Sequence, residues 1–238
     1  MLVIAHRGFS SSYTENTLVA FTQALLLDID AIELDVHQVG HEFMVFHDPY
    51  VDKLTNGTGR IFDKSLEEVR SLLVKERDPI PTLSEIAALV GEQVTLNIEL
   101  KTLNDVDDFV AYVAKLIDSY RCKVVISSFD HRALKATKSG LNKSQYRRQQ
   151  AFIQYGALVG HCPLDLAQYA EQMGMDIAAI DWNVLSADFV DDAHARGLKV
   201  WSYTVNHLET LNELLEMGVD GIFTDRPDWA REIISANK

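Results

Sequence analysis

Two short runs put charged side chains into segments that otherwise read as apolar strands: Ile32-Glu33-Leu34-Asp35-Val36 and Asn97-Ile98-Glu99-Leu100-Lys101. Successive residues of a strand point to opposite faces. Glu33 and Asp35 therefore share one face, as do Asn97, Glu99 and Lys101, and the aliphatic residues take the other. A third run, Leu2-Val3-Ile4-Ala5-His6, ends on a histidine followed by Arg7, and residues 43–47 end on His47. Parallel strands buried on both faces read as near-continuous apolar runs, so charges at matched depth in several of them need a chemical reason. Ion pairs such as Glu99 with Lys101, or Glu33 with Arg7, would explain single residues. They do not explain the set, because three carboxylates in one pocket repel strongly at low dielectric. A bound divalent cation resolves the repulsion, and oxygen-only ligation suits magnesium, calcium or manganese rather than zinc. Glu33, Asp35 and Glu99 carry −3, the cation +2, and Arg7 with Lys101 +2. The site is then left at about +1, which suits a phosphodiester monoanion. Imidazole titrates near neutrality, so His6 and His47 beside such a cluster suit general acid and base work.

The elements that must position these groups follow a regular pattern. Strand-like runs are expected at residues 2–5, 31–37, 95–100, 123–127, 152–155, 177–181, 199–203 and 221–224. The fifth is the least distinct, because residues 141–150 are polar. Helix-like segments are expected at 15–27, 82–90, 106–119, 187–196 and 208–217, with a closing helix after Pro227. Strand–helix alternation means parallel pairing with crossover helices. Eight strands favour an α/β architecture closed as a (β/α)₈ TIM barrel, the whole chain 1–238 forming one domain. One stretch, about 38–81, breaks the alternation. Residues 43–47 read as an extra strand, joined to the second by a turn at Gly40-His41. Residues 48–81 carry turn residues and one short helix near 66–73. This hairpin and helix insertion follows the second strand, on the face of the barrel where chemistry occurs.

Bulk properties exclude some classes. The chain has 238 residues, 47% hydrophobic and 24% charged, with a formal net charge of −13. That charge argues against nucleic acid, which needs basic patches to displace counterions. It does not argue against a small phosphodiester, since a cation and a few basic groups reverse the sign inside one pocket. No apolar run is long enough to span a membrane. The opening residues 1–5 are too short for a secretory core, so a cytoplasmic protein is expected. Cys122 and Cys162 form no zinc or redox spacing and read as two buried thiols in a reducing compartment.

Taken as an ordered set, these motifs resemble the glycerophosphodiester phosphodiesterases of the cytosolic bacterial type. The resemblance runs through His6-Arg7-Gly8, Glu15-Asn16-Thr17, Ile32-Glu33-Leu34-Asp35-Val36 and His47-Asp48-Pro49. It continues through Ile80-Pro81-Thr82-Leu83, Asn97-Ile98-Glu99-Leu100-Lys101, Ser127-Ser128-Phe129, Tyr203-Thr204-Val205-Asn206 and Gly221-Ile222-Phe223-Thr224-Asp225-Arg226-Pro227. It implies a barrel that hydrolyses glycerophosphodiesters to sn-glycerol 3-phosphate and an alcohol. It implies Glu33, Asp35 and Glu99 as ligands of one divalent cation, and His6 and His47 as the acid–base pair. Arg7 and Lys101 would lie near the phosphate, with Phe129 and Tyr203 also at the substrate. The usual Thr-x-Asp-Gly hairpin of the family is replaced here by Val39-Gly40-His41-Glu42, and the usual Gly-Ala-Asp by Asp28-Ile29-Asp30.

Other readings carry their own signatures. A related barrel phosphodiesterase acting on lysophospholipids or phosphoinositides would expose an apolar rim or a basic patch. A catalytically silent binder of phosphate esters would lack a histidine or a carboxylate, and none is missing. An unrelated metal-dependent barrel enzyme, such as an aldolase, would not need His47 on a hairpin. His37 shares the face of Asp35 but is expected to pass beyond the barrel rim. Thr14 is expected to cap the first helix, Trp201 to pack in the core, and Asp105, Asp107 and Asp108 to favour a helix start.

Overall fold

A computed structural model describes residues 1–237. Its strands are β1 (Leu2–His6), β2 (Ala31–Val39), β3 (Glu42–Val45), β4 (Leu73–Val74), β5 (Asp78–Pro79), β6 (Thr95–Thr102), β7 (Val124–Ser128), β8 (Ile153–Val159), β9 (Ile177–Asp181), β10 (Lys199–Tyr203) and β11 (Gly221–Thr224). Its helices are α1 (Leu18–Ala24), α2 (Leu66–Ser71), α3 (Leu83–Val90), α4 (Val106–Tyr120), α5 (His131–Leu141), α6 (Gln168–Gln172), α7 (Ala187–Ala195), α8 (Leu208–Glu216) and α9 (Pro227–Ala236). Strands β1, β2, β6, β7, β8, β9, β10 and β11 pair in that order, all parallel, and β11 returns to β1 to close the barrel. The expected (β/α)₈ barrel is the one that forms.

Burial divides along the alternation of each strand. Ile32, Leu34 and Val36 of β2 and Leu96, Ile98 and Leu100 of β6 face outward into the layer between barrel and helices. A separate apolar cluster, including Ile4, Val125, Ile177, Trp201 and Phe223, fills the barrel interior. Charged residues of β2 and β6 therefore stand in that interior, above an apolar floor.

The segment between β2 and α3 is a small structure of its own. β3 pairs antiparallel with β2, from Val36 opposite Val45 to Val39 opposite Glu42. Gly40 supplies the left-handed turn at φ 61°, so the hairpin forms without the family's usual turn sequence. Met44, Phe46, Val51, Ile61, Val69 and Ile80 are among the residues of its own buried cluster. Arg70 of α2 grips Glu85 of α3 with two hydrogen bonds, of 2.8 and 2.9 Å, and reaches the Ile80 carbonyl at 3.0 Å. Glu85 also closes a capping box with Thr82. The insert is thus anchored to the barrel at both ends.

Several expectations need correction. Helix α1 begins at Leu18, with Thr17 rather than Thr14 as its cap. Asn16 sits at φ 56°, in the left-handed region, so a helix cannot run through it. Strand β8 extends beyond residue 155 to Val159, and two 3-10 turns, Ser144–Tyr146 and Gln149–Phe152, occupy the polar stretch before it. Cys122 is buried but Cys162 is exposed, because it lies in the surface segment after β8. Among the described residues no helix is long and apolar enough to cross a membrane.

Candidate active site

Strand register sets the depth of each functional side chain. His6 of β1 pairs with Glu33 of β2, and Glu33 with Asn97 of β6. Two residues further along, Asp35 pairs with Glu99, and Glu99 with Ser127 of β7. The alternation read from the sequence therefore holds, and neighbouring strands bring the polar faces together at the C-terminal end of the barrel.

Glu33, Asp35 and Glu99 each offer a carboxylate oxygen, and these atoms lie within 4.8 Å of one another. Burial pushes the Glu33 carboxyl well above its ordinary range, and the charges of Asp35 and Glu99 push it further. Burial and the Asp35 charge likewise raise Glu99 to about 7. Burial would raise Asp35 too, but Lys101 and Arg7 outweigh it and hold that carboxyl at about 2. Glu33 Oε1 is buried with no hydrogen-bond partner among the described residues. All-oxygen donors, mutual repulsion and an unmatched buried oxygen fit a hard divalent cation.

Two cations flank the carboxylates. Lys101 Nζ is 2.5 Å from Glu99 Oε1 and 3.1 Å from Asp35 Oδ1. Arg7 Nε is 3.2 Å from Asp35 Oδ2, and Arg7 Nη1 is 2.7 Å from Glu15 Oε1. The Arg7 backbone N–H donates to Glu33 Oε2 at 2.9 Å. That geometry needs Arg7 at φ 57° and Gly8 at φ 85°. A Cβ on Gly8 would meet the Ala20 backbone carbon at 2.7 Å, so only glycine fits after Arg7.

The two expected histidines are both present, and each is tied to an aspartate. His6 Nδ1 is 2.7 Å from Asp225 Oδ1, and His47 Nδ1 is 2.7 Å from Asp48 Oδ1. A carboxylate only accepts, so in each ring Nδ1 carries the proton and Nε2 is left for the pocket. His6 Nε2 stands 4.0 Å from Glu33 Oε2. Burial lowers the affinity of His47 for a second proton, against the pull of Asp35. Asp225 is itself held by Ser10 Oγ at 3.0 Å and by Asn206 Nδ2 at 2.7 Å. Burial opposes its charge, but the hydrogen bond from His6 and these partners keep its carboxyl at about 2.

His37 stays outside the carboxylate cluster, as expected, but the insert covers it, with the Phe62 ring 6.2 Å away. The β2–β6 register shifts after Val36, so that His37 pairs with Thr102 and Lys101 becomes the extra residue. The bulge sets Thr102 rather than Lys101 opposite His37, which is 2% exposed. Its Nε2 donates to the His47 carbonyl at 3.0 Å, and its Nδ1 accepts from the Thr102 hydroxyl at 3.1 Å.

The pocket above these groups has a volume of about 160 Å³ and is lined by His6, Arg7, His47, Lys101, Phe129 and Tyr203, among others. The Phe129 and Tyr203 rings meet edge to face at 5.7 Å. Lys101 Nζ lies 5.9 Å from the centre of the Phe129 ring. The Tyr203 hydroxyl donates to the Val159 carbonyl at 2.6 Å, which fixes the ring as an apolar wall. All nine residues singled out in the sequence thus gather at one end of the barrel, seven of them in or beside the carboxylate cluster.

Sequence reasoning gave no role to Asp48, Asp225 or Asn206, and read Asn16 as part of a helix start. Asn16 Nδ2 donates to Asp35 Oδ2 at 2.8 Å. All four lie within the motifs His47-Asp48-Pro49, Thr224-Asp225-Arg226-Pro227, Tyr203-Thr204-Val205-Asn206 and Glu15-Asn16-Thr17, and that was the available signal.

Residues 6–229 match the Glycerophosphoryl diester phosphodiesterase family. A glycerophosphodiester phosphodiesterase of Caldanaerobacter subterraneus subsp. tengcongensis is 34% identical, over 95% of this chain and 95% of its own. One from Bacillus altitudinis is 28% identical, over 97% of each chain. The structure of an Oleispira antarctica phosphodiesterase, solved in complex with the product sn-glycerol-3-phosphate, superposes with a TM-score of 0.87 at 27% identity, covering 99% of this chain and 97% of that one. The barrel, the ordered motifs and the nearly full-length relatives converge, and the chain belongs to the glycerophosphoryl diester phosphodiesterase family.

Proposed function

We propose that this protein hydrolyses glycerophosphodiesters to sn-glycerol 3-phosphate and an alcohol, with one divalent cation held by Glu33, Asp35 and Glu99. The observation that carries the reading is a pair of imidazoles, each tied through Nδ1 to an aspartate, at a pocket with three clustered carboxylates. Magnesium, calcium or manganese suits those oxygens, and when bound it supplies charge stabilisation at the phosphate. Arg7 and Lys101 present donors for the non-bridging oxygens, whose charge grows as the reaction proceeds. The P–O bond to the alcohol breaks, and a P–O bond to the incoming hydroxyl oxygen forms. One histidine takes the proton of that hydroxyl at Nε2, and the other gives a proton from Nε2 to the departing alkoxide. Asp48 and Asp225 hold the Nδ1 protons and orient each ring so that Nε2 is the atom left for the pocket. Phe129 and Tyr203 offer an apolar wall for the carbon skeleton of the glycerol unit. The Oleispira antarctica relative supports the product side of this reading, since it was solved with sn-glycerol-3-phosphate.

The test uses metal-stripped protein and several glycerophosphodiesters, with magnesium, calcium or manganese added back. Release of sn-glycerol 3-phosphate that depends on added cation is expected. Undiminished release from stripped protein, or none with any cation, would overturn the reading.

A further inference from the structure

The reaction outlined above uses histidines, carboxylates and cations, and leaves two buried polar side chains without employment. Asn97 is 1% exposed and Ser127 is 2% exposed. Neither Asn97 Oδ1, Asn97 Nδ2 nor Ser127 Oγ has a hydrogen-bond partner among the described residues. Buried polar groups are nearly always paired, so three unpaired atoms together call for a ligand. Both side chains line the pocket that holds His6, Glu33, His47 and Glu99.

Their surroundings narrow the chemistry. Asn97 stands beside Glu33 in the β2–β6 register, and Ser127 beside Glu99 in the β6–β7 register. The position paired with Ser127 on β8 is Gly156, which has no side chain to answer the hydroxyl. Leu158 and Phe223 close the pocket with apolar surface. A metal ion would satisfy Asn97 Oδ1 but repels the donor Nδ2. Arg7 and Lys101 have no acceptor to offer Nδ2. A phosphate oxygen accepts from Nδ2 but gives nothing to Oδ1. A ligand that both donates and accepts answers all three atoms, and two hydroxyl groups on adjacent carbons do so.

Resting on the proposed reaction, we infer that Asn97 and Ser127 form the subsite that reads the free hydroxyl groups of the substrate's glycerol unit. One hydroxyl donates to Asn97 Oδ1, and its neighbour accepts from Nδ2 or exchanges a hydrogen bond with Ser127 Oγ. The preference this creates is for phosphodiesters that carry a vicinal diol, over esters of simple alcohols.

Calorimetric binding of sn-glycerol 3-phosphate and of inorganic phosphate, to the metal-loaded protein, separates this subsite from catalysis. The intact protein should bind sn-glycerol 3-phosphate more tightly than phosphate. Ser127→Ala removes a single heavy atom, and Asn97→Leu keeps the branched side-chain shape without its polar atoms. Each should reduce that preference, by about 5-fold and roughly 10-fold, the scale of one or two net hydrogen bonds. Phosphate affinity and metal affinity should stay within about twofold of the parent, a change below half a net hydrogen bond. Thermal melting of both variants checks that the barrel persists. No preference for sn-glycerol 3-phosphate in the parent, or an undiminished one in Ser127→Ala, would overturn the inference and leave these groups to buried water. Loss of metal affinity in Asn97→Leu would overturn it in favour of cation ligation. If the preference is present but no glycerophosphodiester is cleaved, the subsite stands and the proposed reaction falls.

Discussion

The buried ring of His37 donates from Nε2 to the backbone carbonyl of His47 at 3.0 Å. It joins the second barrel strand to the segment that leaves the β2–β3 hairpin, and so fixes the height at which the His47 imidazole enters the pocket. The carbonyl only accepts, so it fixes the proton on Nε2, and Nδ1 accepts from the Thr102 hydroxyl. Burial lowers the ring's affinity for a second proton, which keeps it neutral and suited to this role. His37→Ala should lower kcat by roughly 10-fold or more, since misplacement by about 1 Å can cost that much, with KM little changed. His37→Gln can still donate an amide N–H to the carbonyl and should recover part of the loss. Equal kcat in all three proteins would show that the contact does not position His47.

His6→Ala and His47→Ala should each reduce kcat by about 10²-fold or more, the usual scale for a positioned acid or base. Metal affinity and melting temperature should change little. Asp225→Asn should lower kcat in the same direction, because an amide can offer Nδ1 a donor where it needs an acceptor. Steady-state kinetics on a glycerophosphodiester reads all three, and near-parental turnover in either histidine variant removes that residue from proton transfer.

Neighbouring carboxylates should respond oppositely to neutralisation. The folded state raises the Glu33 carboxyl, so its charge near neutrality works against the fold. It lowers Asp35 to about 2, so that charge supports the fold at any pH above the ordinary carboxylate range. In metal-free protein at pH 8, Glu33→Gln should therefore raise the melting temperature, by roughly 2–4 °C for each kcal/mol relieved, and Asp35→Asn should lower it. Both, with Glu99→Gln, should weaken metal binding and activity. Melting temperatures that move in the same direction would contradict this account of the cluster.

Metal binding should release protons. Glu99 is raised to about 7 and must ionise to serve as a ligand. Between the ordinary carboxylate range and about 7 the metal-free folded state holds more protons than the unfolded chain, so its stability falls as pH rises through that window. Added cation should consequently raise the melting temperature more at pH 8 than at pH 6. Calorimetry in buffers of different ionisation enthalpy should show greater proton release at pH 6. A pH-independent affinity with no proton release would place the cation elsewhere.

Much of the site was legible before any tertiary structure, for a local reason. Side chains alternate along a strand whatever it pairs with, so Glu33 with Asp35, and Asn97 with Glu99 and Lys101, declare their shared faces in sequence. Strand and helix alternation likewise announces a parallel barrel, and the barrel brings strand ends together. What depends on pairing between distant segments was not legible. The bulge at Lys101 puts Thr102 opposite His37, and it is a property of the β2–β6 register rather than of either strand alone. Asp225 reaches His6 only because the last strand closes on the first. Asn16 reads as a helix start until its left-handed backbone places its amide against Asp35. The sequence determines which groups face the barrel interior, because alternation is set by the backbone of each strand. The tertiary structure decides which partners hold them, because register and closure are set by contacts among all eight barrel strands.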